Sequence, residues 1–161
     1  MIAPVVTADE LRTTMRRFPA PICVVTVDFE GDRLGLTVGS LVSLSLDPPL
    51  VGISIGKDSS SHEPIRLAGG WAVSLLGADQ MHVAQHFARS GIPPLALWHG
   101  VEVHEGARGP LVDGAIGWLE CRTVSEHEVG DHTIFVGEVE SIELGAAGEG
   151  LVYRGGGFHP G

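Results

Sequence analysis

The stretch Gly35–Ser60 reads G-L-T-V-G-S-L-V-S-L-S-L-D-P-P-L-V-G-I-S-I-G-K-D-S-S, and it decides the fold. Small and hydroxyl residues alternate with apolar ones, which is the period of a β-strand. Leu36, Val38, Leu41, Leu44 and Leu46 can pack, while Thr37, Gly39, Ser40, Ser43 and Ser45 leave backbone accessible and offer short hydroxyls. Asp47-Pro48-Pro49 interrupts the run, because proline has no ladder donor. The stretch is therefore two strands joined by a proline corner. A flat polar ligand lying edge-on to such a strand meets many donors and little bulk. Lys57, Ser59 and Ser60 follow the second strand. One cation with hydroxyls and free backbone N–H groups is chemistry that holds an anion. An ordinary half-buried strand pair with a solvated loop shows the same pattern.

Working outward, the sequence gives mostly strands. Thr7-Ala8-Asp9-Glu10 has the form of a capping box, which predicts a short helix through Leu11 and Met15 to about Arg17, stopped by Phe18-Pro19. Ile22–Asp28 is β-branched and apolar, and Glu30-Gly31-Asp32 turns it into a hairpin with Leu34–Leu41. Leu50–Gly56 is the next strand. Ser61–Leu67 holds one short helix around Pro64, and Trp71–Leu76 reads as a buried strand. Ala78–Arg89 is the strongest helix, with Met81, Val83, Ala84 and Phe87 inward; Ser90–Leu97 is a loop. Val101–His104 is a short strand and Pro110–Gly114 a turn. Ala115–Glu126 and His132–Leu144 are long alternating strands around Val129-Gly130-Asp131, and Leu151–Arg154 is the last strand before a glycine-rich tail. Six or seven strands with few helices suggest an antiparallel barrel that closes its own edges.

Composition excludes several classes. The chain has 161 residues, 43% apolar and 19% charged, as expected of one folded domain. Its formal net charge of −10 argues against unaided binding to nucleic acid or anionic membranes. No apolar run reaches the roughly 18 residues of a membrane span. The N-terminus lacks the basic and long apolar parts of a secretory signal, and Cys23 and Cys121 lie in apolar runs without a C-x-x-C partner. Buried free thiols and a cytoplasmic location are expected.

Three constellations invite chemistry. Gly52-Ile53-Ser54-Ile55-Gly56-Lys57 resembles a phosphate loop superficially, but the glycine spacing is short by one and Asp58 stands where Ser or Thr belongs. His82 and His86 are four apart on a predicted helix, a spacing that can share a metal, although Val83 replaces the glutamate of a metalloprotease motif. Two surface histidines are the plainer reading. Gly130-Asp131-His132 forms a turn that explains its glycine and aspartate but not its histidine.

Together these pieces resemble the flavin reductase family with the FMN-binding split-barrel fold, and especially the short reductases of two-component flavin-dependent monooxygenases. The resemblance rests on Arg17-Phe18-Pro19 with the V-V-T strand after it, Gly35-x-Thr37-x-x-Ser40, and Ser43-Leu44-Ser45-Leu46-Asp47-Pro48-Pro49-Leu50. It continues through Lys57-x-Ser59-Ser60, Trp71-Ala72-Val73-Ser74-Leu75-Leu76, Phe87-Ala88 and Leu119-Glu120-Cys121. It closes with Gly130-Asp131-His132-x-Ile134-Phe135-x-Gly137-Glu138-Val139. It covers about Met15 to Phe158, the core of one domain over residues 1–161.

The resemblance implies a mainly β, antiparallel split barrel of Greek-key type with a few short flanking helices. It implies an NAD(P)H-dependent reductase that transfers hydride to FMN or FAD and supplies free reduced flavin to a partner monooxygenase. The alternative on the same barrel is a non-enzymatic carrier of flavin, haem or deazaflavin. Family members are homodimers with flavin sites near the subunit interface. By the same resemblance, Thr37, Val38, Gly39 and Ser40 lie against the isoalloxazine and ribityl chain, and Ser43, Ile55 and Gly56 continue that contact. Lys57, Ser59 and Ser60 hold the phosphate, and Phe87, Ala88 and Arg89 close the site. His132 is the catalytic candidate, where the nicotinamide arrives. Asp131 either holds its imidazole or makes the turn, and the turn is the favoured role. The tail from Tyr153 to Phe158 covers the site, and no metal is implied. The chain departs from the pattern in having no asparagine, which members often carry near Ser40 or Ser74.

Overall fold

The fold is set by strands whose two faces are both buried. The computed structural model describes residues 1–161. Strand β2 (Cys23–Phe29) follows a two-residue strand β1 (Ala20–Pro21) and buries every residue from Cys23 to Val27. Its near-continuous apolar run follows from that double burial. One face points into a core with Ile53, Trp71, Val73 and Phe135, and the other supplies Val24 to a second core with Leu76, Phe87 and Leu151. Strands β3 (Asp32–Val38), β4 (Val42–Leu46), β5 (Pro49–Gly56), β6 (Gly70–Leu75), β9 (Gly117–Val129) and β10 (His132–Leu144) complete a seven-stranded sheet of order β3-β2-β6-β9-β10-β5-β4. Every pairing in it is antiparallel. Helix α2 (His62–Ala68) plugs the first core with Ile65. No helix is long and apolar enough to cross a membrane.

The N-terminal helix α1 (Ala8–Met15) carries the predicted capping box: Thr7 Oγ1 accepts from Glu10 N, and the Glu10 carboxylate accepts from Thr7 N. That bonding holds the Glu10 carboxyl below its ordinary value. None of the helix is buried. Helix α3 (Met81–Phe87) is shorter than predicted, because the Gln80 side chain bonds Gly77 N and Asp113 O instead of continuing the helix. Val83, Ala84 and Phe87 face inward, whereas Met81 is exposed. Four elements arise where the sequence suggests loop, turn or tail: β1, the turn of helix α4 (Pro94–Leu97), β8 (Leu111–Val112) and β12 (Gly157–Pro160). Strand β8 pairs β7 (Val103–His104), and β11 (Leu151–Arg154) lies between β1 and β12. The Asp47–Pro48 peptide between β4 and β5 is cis. Cys23 and Cys121 are free and buried, and burial pushes both thiols up to about 12.

The sheet does not close completely. β3 pairs only β2, and its C-terminal part lines one cleft with Ser54–Gly56 of β5. β4 covers β5 only as far as Gly52, so the β5 edge from Ile53 to Gly56 has no strand beside it. One side chain spans the gap. Ser40 Oγ donates to Ser54 O at 3.0 Å and accepts from Ser54 N at 3.0 Å, standing in for a missing pair of ladder bonds.

Candidate active site

The split leaves a cleft between two strand edges. Its middle part, about 300 Å³, is lined by Leu36–Ser40 of one edge, by Ser54, Ile55 and Gly56 of the other, and by Ser59. Val38 and Ile55 turn their side chains into the core, so they present backbone to the cleft. Unpaired strand edges supply N–H and C=O groups to whatever lies between them. Gly56 keeps the strand end open: a Cβ there would meet the Asp58 carboxylate at 2.9 Å and lie 3.8 Å from His132 Nε2.

Beyond Thr37 the cleft widens to about 610 Å³. Its walls are β3, the loop Asp58–Ser61, and the segment from Phe87 to Ile92 with Leu97. Thr37 Oγ1 donates to Ala84 O at 2.6 Å, which ties β3 to α3 and sets where Phe87, Ala88 and Arg89 emerge. Gly35 allows close approach, since a Cβ there meets the Phe87 ring at 2.9 Å. Trp98 packs against Phe87 in a tilted arrangement with centroids 5.2 Å apart and donates its indole N–H to Arg33 O at 2.8 Å. His86 Nε2 bonds Leu97 O at 2.6 Å and so joins α3 to α4. With that nitrogen engaged, His86 is a packing contact between the two helices, while His82 is exposed.

The structure brings most of the predicted site residues together and redirects others. Thr37, Val38, Gly39, Ser40, Ile55, Gly56, Ser59, Ser60, Phe87, Ala88 and Arg89 all line the cleft. Ser40 has already spent its hydroxyl on Ser54. Lys57 does not line the cleft, because the β9–β10 hairpin brings Glu128 within 3.4 Å of its ammonium. Arg89 is the cation of the wide part, where Asp58 is the only carboxylate. Ser43 is exposed on edge strand β4, away from the cleft walls. Phe158 packs on Tyr153, with ring centroids 5.3 Å apart, as part of the second core. Sequence reasoning missed the far wall, Ser90–Leu97. Its one signal was Pro93-Pro94, since proline at a first helical position favours a short helix.

His132 and Asp131 do not line the cleft either: His132 stands beside Gly56, its strand partner, at the cleft's flank, and Asp131 is exposed. Asp131 both makes the turn and holds the ring: His132 Nδ1 lies 2.7 Å from Asp131 Oδ1. The favoured turn-only role is corrected by that contact. The bond from His132 keeps the Asp131 carboxyl below its ordinary value. A carboxylate partner fixes the proton on Nδ1. Nε2 is then an acceptor in the neutral ring and a donor in the charged one, on a side chain 48% exposed.

The flavin reductase like domain matches residues 15–161. The chain belongs to the flavin reductase family. A protein of Streptomyces globisporus described as an NADH-dependent FAD reductase is 40% identical over 152 residues, 92% of this chain and 83% of its own. The solved NADH:FAD oxidoreductase of Streptomyces globisporus C-1027, in complex with NAD and FAD fragments, superposes with a TM-score of 0.88. It is 37% identical over 98% of this chain and 96% of its own. The flavin reductase component of a bacterial two-component tryptophan halogenase superposes with a TM-score of 0.89 at 34% identity, over 96% of this chain and 98% of its own. The split barrel is thus the fold of this family member.

The cleft of this family member fits a flavin. Its middle has strand-edge donors and acceptors and small residues at Gly39, Ser54 and Gly56, which suits the edge of a flat heterocycle. Its wide end has serine hydroxyls and a cation, which suits a phosphate.

Proposed function

We propose that the chain holds a flavin along the split, with the ring between Val38–Ser40 and Ser54–Gly56 and the phosphate end between Ser59, Ser60 and Arg89. The chain is an NADH:flavin oxidoreductase, and reduced flavin leaves it for a monooxygenase component. The observation that carries the binding mode is the continuity of the cleft with both unpaired strand edges. When bound, the flavin supplies the two-electron acceptor for the nicotinamide hydride. The protein supplies position. Strand-edge backbone orients the ring, Arg89 holds the anionic end, and His132 offers Nε2 to the carboxamide of the arriving nicotinamide. No side chain acts as a covalent catalyst.

FAD is the preferred flavin. The cleft does not stop at the serines but runs on past Arg89 over apolar Ile92 and Leu97, room that a flavin with one terminal phosphate leaves unused. NADH consumption measured with FMN and FAD in turn tests both points. The expected result is turnover with both and a lower KM for FAD. Flavin binding without NADH consumption makes the protein a carrier instead.

A twofold homodimer also belongs to this reading. Val42, Leu44 and Leu46 on edge strand β4, and Ile142 and Leu144 at the end of β10, are large apolar side chains left exposed. Sedimentation at micromolar concentration is expected to show a dimer, and a monomer there removes this part of the proposal. Buried unreactive thiols fit a cytoplasmic location.

A further inference from the structure

The loop Asp58–Ser61 forms one wall of the wide part of the split. Its backbone bonds fold it on itself: Ser59 N donates to Gly56 O at 3.1 Å, and His62 N donates to Ser59 O at 3.1 Å. Ser61 N donates to Ser59 Oγ at 3.2 Å, which leaves the Ser59 proton to donate to an anion. What sets this loop against the barrel is β10. At the start of the loop, Lys57 N donates to Asp131 O at 2.9 Å. At its end, His62 Nε2 lies 2.8 Å from Thr133 Oγ1. The two anchors on β10 stand on either side of His132.

The His62 anchor is built with care. Thr133 is buried, so its hydroxyl depends on the imidazole for a side-chain partner. Phe135 lies two residues along β10, on the same face, and meets the His62 ring edge-on with centroids 5.5 Å apart. The ring is thus held in position and in tilt. Nε2 can accept from the hydroxyl or donate to it, so the contact survives both protonation states of the ring. Helix α2 does not need His62 to stay seated, because Ile65 is fully buried in the first core. His62 itself is half-buried and lines no part of the cleft.

We propose that His62 is a positioning residue: through Thr133 it sets the loop Asp58–Ser61 at the distance from Arg89 that a flavin phosphate spans, without touching the flavin. The proposal rests on the reading above that the phosphate end lies between Ser59, Ser60 and Arg89. A phosphate gripped from two walls binds well only if the walls are already in place, since a loop that must be ordered on binding takes its ordering cost out of the affinity. Arg89 belongs to the wall that α3 carries, and the serines belong to the opposite wall. Within the second wall, the His62–Thr133 bond is the side-chain tie between loop and sheet that lies nearest the serines. It also seats the loop on the same strand end that carries His132, so both ends of the site share one support.

The test compares titrations with FMN and with riboflavin, which differ only in the phosphate. His62→Ala is expected to raise the FMN Kd by about threefold to tenfold and to leave the riboflavin Kd within about twofold of wild type. Thr133→Val keeps the shape of the side chain without its hydroxyl and should give the same split between the two ligands. Should His62→Ala fail to fold, Thr133→Val carries the comparison alone. The double variant should lose no more than the larger single loss, because both changes remove one bond. Thr133→Ser keeps the hydroxyl and should keep wild-type FMN affinity. Equal losses for FMN and riboflavin make His62 a packing residue and overturn the proposal. Unchanged FMN affinity in the two single variants, or losses that add in the double variant, overturn it as well. A wild-type protein that binds riboflavin as tightly as FMN takes the phosphate away from this loop, and the binding mode proposed above then fails together with this role.

Discussion

Arg89→Ala is expected to weaken flavin binding by about tenfold to hundredfold, while Lys57→Ala changes it by less than about threefold. The contrast follows from where the two cations point. Lys57 is the cation nearest the serines in sequence, but its ammonium pairs with Glu128 on the neighbouring hairpin. That pair is largely exposed, so breaking it costs little stability. Arg89 lies on the cleft wall opposite Ser59 and Ser60 and has no carboxylate partner. A charge-assisted bond to a phosphate contributes roughly 1.5–3 kcal/mol, and a factor of ten corresponds to about 1.4 kcal/mol. Arg89→Lys keeps the charge but loses the fork, so it should fall between wild type and alanine. Flavin titration followed by fluorescence quenching decides the matter. If Lys57→Ala loses more affinity than Arg89→Ala, the phosphate sits at the β5 end and the Lys57–Glu128 pair opens on binding.

The long strands were legible because burial leaves a direct mark on sequence. β10 has the bounds that alternation predicts, β2 differs by one residue at each end, and β9 begins two residues later and ends three residues later than Ala115–Glu126. The short elements were not legible. β1 contains a proline, β12 follows two glycines with positive φ, and β8 is two residues long. Each exists because a partner strand is already there, which no local pattern encodes. The site divides in the same way. Small and hydroxyl residues on β3 marked an approachable strand edge, and the cleft lies along it. The destinations of individual side chains were hidden, since they depend on neighbours distant in sequence. Ser40 reads as a ligand contact until Ser54 is placed opposite it. Lys57 reads as a phosphate cation until the far hairpin supplies Glu128. Asp131 reads as a turn residue, and it is one, yet the same carboxylate fixes the tautomer of its neighbour.

That tautomer governs the second prediction. His132→Ala should lower kcat/KM for NADH by about tenfold to hundredfold and leave flavin affinity nearly unchanged. The ring stands at the flank of the cleft beside Gly56 and makes no bond to the cleft walls, so its loss removes no flavin anchor. It is held from behind by Asp131, with Nε2 free to meet an incoming group. Neutral His132 accepts there, which suits the N–H of a carboxamide; protonated His132 donates, which suits its carbonyl or the charge a flavin gains on reduction. Positioning and acid–base contributions of this kind reach about 10²–10⁴-fold when a proton moves in the transition state. An orienting contact falls at the low end of that range. Asp131→Asn keeps the turn but weakens the hold on Nδ1, so its loss should be smaller, about threefold to tenfold, and in the same parameter. Stopped-flow reduction of the flavin-loaded variants by NADH measures the step directly. Reduction of His132→Ala at the wild-type rate makes His132 a surface residue with no part in hydride transfer.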